Sequence, residues 1–297
     1  MTFSKLPVLR GVFSYFGHCA TPARLRWGRL LGWLAPRLLR SRVRVVRINL
    51  KLCFPHLPAS DIDALIHRHF RLLGQSVIDR GLCWFGPRQA ILDTVRISGL
   101  EHLENLLRDE TPIILLAPHF IGLDAAATRL TLFLKESATL YTPQSDPDVD
   151  RLVREGRGRF NQVHLISRQD GVRGLIRHLR RGIPVYYLPD MDFGRDGAIF
   201  PPFFGVPAAT LTTTAQIAGA WKAAVVPIVS RLDLGTGRYH VDVLEPLDAF
   251  PGDDGLEVAT ARLNRVIESW VRSDPAQYYW VHRRFKTRPI EGEPKFY

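Results

Sequence analysis

The chain has 297 residues, 46% hydrophobic and 23% charged, which excludes a disordered chain, a collagen and a disulfide scaffold. Eleven basic residues lie between Lys5 and Lys51 and no acid precedes Asp61, so the whole net charge of +11 sits in residues 1–60. Such a block asks for an anionic partner: nucleic acid, an acidic membrane face, or an acidic carrier or substrate.

Cys19, Cys53 and Cys83 show no zinc spacing and read as idle thiols in a reducing compartment. The N-terminus lacks a compact apolar stretch with a small-residue cleavage site. The longest uncharged run, 197–221, carries Pro201, Pro202, Pro207 and four threonines, a composition unlike a spanning helix. A soluble or peripheral protein is expected.

In chain order, residues 23–40 place Trp27, Leu30, Leu31, Leu34 and Leu38 on one helical face, with Arg26, Arg29, Arg37 and Arg40 opposite. That pattern fits a helix lying in a bilayer interface. An ordinary core-packing helix with a solvated basic face is the other reading. Pro36 is expected to kink it. Residues 60–85 form a second helix, with a capping box expected from Ser60 and Asp63.

From about residue 94 the texture alternates. Strands are expected at 95–99, 112–118, 138–141, 163–167, 184–189, 223–229 and 239–244. Helices are expected at 100–108, 120–134, 148–160, 170–181, 208–221 and 257–273. The fold class is α/β, with helices on the faces of a sheet.

Four segments carry candidate chemistry. In 115–126 an apolar strand runs into Pro118 and His119, and Asp124 follows as a helix begins. A carboxylate on one imidazole nitrogen fixes the tautomer and leaves the other nitrogen free to take a proton from a hydroxyl. No Ser or Cys adjoins His119, so the hydroxyl belongs to a substrate. Arg157, Arg159, Arg168 and Arg173 cluster in 154–175, and guanidinium forks suit phosphates and oxyanions; a solvated basic surface is the alternative. In 186–210, Asp190 and Asp192 sit at a strand tip, before a proline- and phenylalanine-rich run. The pair also fits metal ligation, but no further ligands stand at useful spacing. Finally, 278–289 interleaves aromatic and basic residues, as for stacking on nucleic acid or anchoring at lipid headgroups.

Taken together in order, NLKLCFPHL (49–57), His119-x4-Asp124, GRGRF (156–160), SRQDGVR (167–173), LPDMDFG (188–194), FPPFFGVPAAT (200–210) and YWVHRRFKTRP (279–289) resemble the bacterial lipid A biosynthesis acyltransferases, the late lauroyl and myristoyl transferases. These are a branch of the lysophospholipid acyltransferase group with its HX4(D/E) motif. The resemblance covers roughly residues 45–290.

It implies a mixed sheet flanked by helices, as in glycerolphosphate acyltransferases. The residues themselves read as a basic amphipathic membrane-associating segment over 1–60, where many members carry a spanning helix, and the resemblance makes 61–297 the acyltransferase domain. It further implies an acyl-carrier-protein thioester as donor, an anionic phosphorylated glycolipid as acceptor, the cytoplasmic face of the inner membrane as location, and no metal, cofactor or covalent enzyme intermediate. His119 would be the general base and Asp124 its partner, with Arg157, Arg159 and Arg168 as oxyanion or phosphate ligands. Many members carry Glu where this chain has Asp124, which makes Asp190 and Asp192 alternative partners of His119 or substrate-binding groups. A lysophospholipid or aminolipid acceptor, or a non-enzymatic basic membrane-binding protein, stays open. No helix-turn-helix, zinc-finger or RNP pattern supports nucleic acid.

Overall fold

In the computed structural model, which describes residues 4–167, 171–253 and 255–297, the chain begins with α1 (Leu6–His18), α2 (Thr21–Leu38), α3 (Arg40–Cys53) and α4 (Ala59–Phe85). The first three pack on the fourth. The seam with α2 is built from glycine: a Cβ on Gly74 of α4 would lie 2.4 Å from the backbone nitrogen of Gly32. Only a residue without a side chain allows two helices to approach so closely. Beside the seam, Arg24 donates to Asp79 at 2.9 Å, and Gln75 and the Tyr239 hydroxyl complete the carboxylate's bonds.

The glycine seam decides which way α2 faces. Leu25, Gly28, Gly32 and Ala35 turn inward, while Trp27, Leu30, Trp33 and Leu38 are exposed. Arg26 and Arg37 are exposed too. Arg37 lies 3.9 Å over the Trp33 ring, so it shares the apolar outer face instead of opposing it as the periodicity predicts. Trp27, Leu30 and Leu38 therefore do not pack into the core, the alternative expected for them, while Leu31 and Leu34 are half-buried. Val8, Val12 and Tyr15 add exposed apolar surface on α1. Among the described residues, no helix is long and apolar enough to cross a membrane.

Pro36 lies within α2, and the helix gives way to α3 only at Leu39. The cap expected from Ser60 and Asp63 is not formed: α4 follows Pro58 directly, and Asp63 pairs with Arg47. Val46, Leu50 and Cys53 of α3 enter the same core as Ile114 and Val185, so a shared core crosses the boundary at residue 60.

Next come α5 (Arg88–Thr94), β1 (Val95–Ser98), α6 (Leu100–Arg108), β2 (Ile113–Leu116), α7 (Leu123–Thr131), β3 (Glu136–Tyr141), α8 (Pro147–Arg157), β4 (Gln162–Ser167), α9 (Gly171–Leu179) and β5 (Val185–Tyr187). Two small ribbons follow, made of β6 (Ala198–Ile199) with β9 (Thr210–Leu211) and β7 (Pro202–Phe203) with β8 (Val206–Pro207). They occupy the first part of the helix expected at 208–221, and α10 (Thr213–Trp221) starts after them. β10 (Ala224–Asp233), β11 (Arg238–Val243) and α11 (Leu256–Ser273) complete the regular elements.

The sheet runs β1-β11-β10-β2-β5-β3-β4. β10 and β11 pair antiparallel and the other neighbours parallel, giving the mixed sheet expected. β2 is apolar on both faces because both are covered. Ile114 and Leu116 meet Leu175, Ile217 and Leu263 on one side. Ile113 and Leu115 meet Leu82, Leu130 and Leu152 on the other.

Residues 278–289 are neither an interfacial helix nor an open stacking surface. Trp280, Arg284 and Phe285 are fully buried, and Arg284 donates to the Ala209 carbonyl and the Thr210 hydroxyl. The Asn49 amide of α3 donates to the carbonyls of Trp280 and His282, each at 2.7 Å. The segment is a strap that ties the ribbons to the N-terminal helices.

His69 of α4 is buried beside the turn at 275–277 that leads into this strap. Its Nδ1–H donates to the Ala276 carbonyl at 3.0 Å, and its Nε2 has no partner. Burial lowers its pKa to about 4, although the Ala276 bond opposes the shift. The unfolded chain takes up this proton near pH 6.5 and the folded one only near 4, so His69 makes stability fall as pH drops through that window. The full loss is roughly 3 kcal/mol. His69→Asn keeps a donor for Ala276, and its melting temperature should vary less between pH 6.5 and 4. An unchanged slope would show that His69 is not the titrating group.

Candidate active site

β2 ends at Leu116, and the chain passes through Ala117 and Pro118 to His119 before α7 begins at Leu123. β5, its neighbour in the sheet, ends beside it: Ala117 N–H donates to the Tyr187 carbonyl at 3.0 Å. From there Leu188 and Pro189 lead to Asp190. The meeting of His119 with Asp190 is thus set by strand adjacency.

Asp190 is buried, and its two oxygens are both taken by His119. Oδ2 accepts the backbone N–H at 2.8 Å and Oδ1 the ring Nδ1–H at 2.7 Å. Burial alone would raise the Asp190 pKa. The charge that His119 carries when protonated and these two bonds outweigh it and hold the carboxyl down at about 2. The proton is therefore fixed on Nδ1, and Nε2 of this cavity-lining ring carries no hydrogen bond among the described residues. The strap and the turn at 275–277 before it hold the loop in place from the other side: Tyr279 N–H donates to the His119 carbonyl at 2.8 Å, and Ile121 N–H to the Gln277 carbonyl at 2.7 Å.

Asp124 does not reach His119, which corrects the pairing expected from the five-residue spacing. It lies in the first turn of α7 and turns toward α4 and α8. There Arg80 Nε donates to Oδ2 at 2.9 Å and Arg157 Nη2 to Oδ1 at 3.2 Å. Burial pushes its pKa up, but the two guanidinium charges prevail and hold it below the usual carboxylate range. One carboxylate shared by two guanidiniums leaves an excess positive charge at the spot.

Asp192 is also not a partner of His119. It accepts Thr287 N–H and Oγ1–H, each at 2.7 Å, and Gly194 N–H at 3.0 Å. Its own N–H donates to His282 Nε2 at 2.9 Å, so it fastens the strap. Arg159 is engaged elsewhere too. It donates to the carbonyls of Cys83 and Gly86 at the end of α4, which corrects its assignment as an oxyanion ligand. Arg168 lies outside the described residues.

His119, Asp124, Arg80 and Arg157 line a cavity of about 540 Å³. Beyond these polar groups its walls are largely apolar, with Leu115, Leu130, Leu134, Val163, Leu165 and Tyr186 among them. Arg80 is the member that sequence reasoning missed. Its trace was a lone cation four residues from both Ser76 and Trp84, next to Asp79 on a helix rich in apolar residues.

A family model described as bacterial lipid A biosynthesis acyltransferase matches residues 11–287. The Escherichia coli lipid A biosynthesis lauroyltransferase is 34% identical over 93% of this chain and 89% of its own. The myristoyltransferase of that organism is 32% identical over 96% and 88%, and the palmitoleoyltransferase 31% identical over 91% and 87%. A crystal structure of a 1-acyl-sn-glycerophosphate acyltransferase from Thermotoga maritima aligns with 80% of this chain and 98% of that one, at 14% identity and a TM-score of 0.37. At that score the likeness carries no weight beside the sheet order itself.

Proposed function

The chain belongs to the bacterial lipid A biosynthesis acyltransferases, and from that premise we propose that it moves an acyl chain from an acyl-carrier-protein thioester to a hydroxyl of an anionic lipid A precursor. The observation that carries the reading is His119. Its Nδ1 is locked on Asp190 and its ring faces a cavity that is cationic around Asp124 and apolar beyond.

In the proposed step, Nε2 takes the proton of the acceptor hydroxyl as its oxygen attacks the thioester carbonyl carbon. The charge that forms on the carbonyl oxygen is met by Arg157, with Arg80 beside it. The tetrahedral species collapses with loss of the C–S bond, and the departing sulfur receives the proton from Nε2. Asp190 holds the ring in the tautomer this requires and stabilises the imidazolium between the two transfers. No protein nucleophile is used.

The acceptor lies in a membrane, and attachment is proposed through α1 and α2 at the cytoplasmic face of the inner membrane. Support comes from the exposed Val8, Val12, Tyr15, Trp27, Leu30 and Trp33, interleaved with arginines and without acids. Apolar side chains would enter the interface while the cations meet anionic headgroups. The relatives are named for different acyl chains, so likeness alone leaves the chain length open.

The test is transfer by the purified protein from acyl-carrier thioester to a lipid A precursor, read by mass spectrometry. His119→Ala should abolish product while still floating with anionic vesicles. Undiminished transfer by His119→Ala would overturn the proposal.

A further inference from the structure

We infer that the outer face of α9 is the docking surface for the acidic carrier that brings the acyl thioester, with Arg173, Arg177, Arg180 and Arg181 as its cations; this rests on the acyl-transfer reading above.

α9 has two distinct faces. Gly174, Leu175 and Leu179 are buried, and the two leucines share a core with Ile166 of β4 and Val185 of β5. Arg173, Arg177, Arg180 and Arg181 stand at i, i+4, i+7 and i+8, which is one helical stripe, and all four are exposed. The turn that ends the helix keeps the last two in line: Arg180 N–H donates to the Ile176 carbonyl and Arg181 N–H to the His178 carbonyl, each at 2.9 Å.

The stripe is not neutralised. No acid stands between Gly171 and Asp190, and among the described residues none of the four guanidiniums is in an ion pair. Arg180 lies 5.3 Å over the Trp221 ring at the end of α10, and the exposed Lys222 next to that ring adds a fifth cation. Like charges one helical turn apart repel each other, and a partner of opposite sign relieves that repulsion.

The stripe also begins at the right end of the sheet. β2, β5, β3 and β4 are parallel, so their last residues lie at one end. There β2 leads into His119, and β3 into Thr142 and Gln144, exposed residues that line the cavity with it. α9 starts four residues beyond the end of β4 and runs back toward the start of β5. Arg173 is therefore the member of the stripe nearest the opening.

Composition separates this stripe from the surface of α1 and α2. There Val8, Trp27, Leu30 and Trp33 are exposed among the arginines, as suits an interface that takes apolar side chains into the acyl region. Among the described residues, α9 exposes no large apolar side chain. A stripe of charge alone suits a folded acidic surface, where it steers encounter and sets orientation.

The experiment is steady-state transfer by the whole protein from two donors with the same acyl chain, one on acyl carrier protein and one on pantetheine alone. Arg177→Glu/Arg181→Glu should raise KM for the carrier donor about ten-fold or more, the low end of what charge steering supplies. Its kcat, its turnover of the pantetheine thioester and its flotation with anionic vesicles should be unchanged. Added salt should raise the wild-type KM for the carrier, and raise it less in the variant. Arg177→Gln/Arg181→Gln removes the charges without reversing them. It should move KM the same way by less, and it decides the matter if the reversed variant fails its melting curve.

An unmoved KM would overturn the surface, as would an equal loss with both donors. Lost flotation with KM unmoved would assign α9 to the membrane and overturn it too. The wild type separates this inference from the reading beneath it. If it transfers from the carrier while the variants keep their KM, the donor stands and the surface falls. If it transfers from the pantetheine thioester alone, the donor falls and the surface with it.

Discussion

Asp190→Asn is expected to lower kcat by about 10²–10⁴-fold, the range for losing a positioned base or the group that sets its tautomer, while KM for the acyl donor changes little. The carboxylate accepts two hydrogen bonds from one residue, the His119 backbone N–H on Oδ2 and the ring Nδ1–H on Oδ1. An amide offers one acceptor and one donor, so one of these bonds must break. If the amide NH₂ faces the ring, Nδ1 becomes the acceptor, the proton moves to Nε2, and the base is lost. If it faces the backbone, two donors meet and the loop is displaced. Asp190→Glu should not rescue, because the position is buried and its partners are close. Comparison of kcat with KM is the decisive reading: a variant that raises KM alone would show Asp190 to be a binding group.

Arg157→Ala is expected to cost about 10²–10³-fold in kcat, the usual effect of removing one oxyanion donor. Asp124→Asn should reproduce most of that loss, because it removes the charge that holds Arg157 and Arg80 at the cavity. The double variant should be little worse than the more damaged single one, since residues acting through one network are strongly non-additive. A different role predicts a different cycle. Were Asp124 the partner of His119, its loss would be coupled to Asp190→Asn and independent of Arg157→Ala. Arg80→Lys gives a further check: a lysine keeps the charge but not the planar fork, so kcat should fall with little change in vesicle binding.

Much of the sheet was legible because its strands are short apolar runs with turn residues between them, and α4 because its stripe is long and regular. The pairing of His119 was not. The carboxylate five residues away was visible in the chain, but α7 begins at Leu123 and turns Asp124 toward α4 and α8. The true neighbour stands 71 residues on, and it arrives through the placement of β5 beside β2, ahead of β3 in the sheet order. Chain order does not give that adjacency. α3 was missed because valines and arginines alternate along its first turns and mask a helical period. On α2 it was the arginines that were misplaced, for a related reason: glycines leave no mark in a hydrophobic periodicity, yet Gly28 and Gly32 fix which side packs and leave Arg37 on the outer face with Trp33. The aromatic-basic run at 278–289 looked like a surface because its composition is that of one. Arg284 and Trp280 are buried because backbone carbonyls receive them, the distant Ala209 for the guanidinium and the nearby Pro275 for the indole.

The strap has a consequence for how the molecule is born. Tyr279 and Gln277 hold the loop of His119, and Asn49 holds the strap in turn, so groups from both ends of the chain must meet before the base is set. A nascent chain whose final segment is still inside the ribosome lacks the bonds from Tyr279 and Gln277 and cannot yet hold the loop of His119 from that side. The site would therefore be completed only after residues 277–282 have emerged and met Asn49.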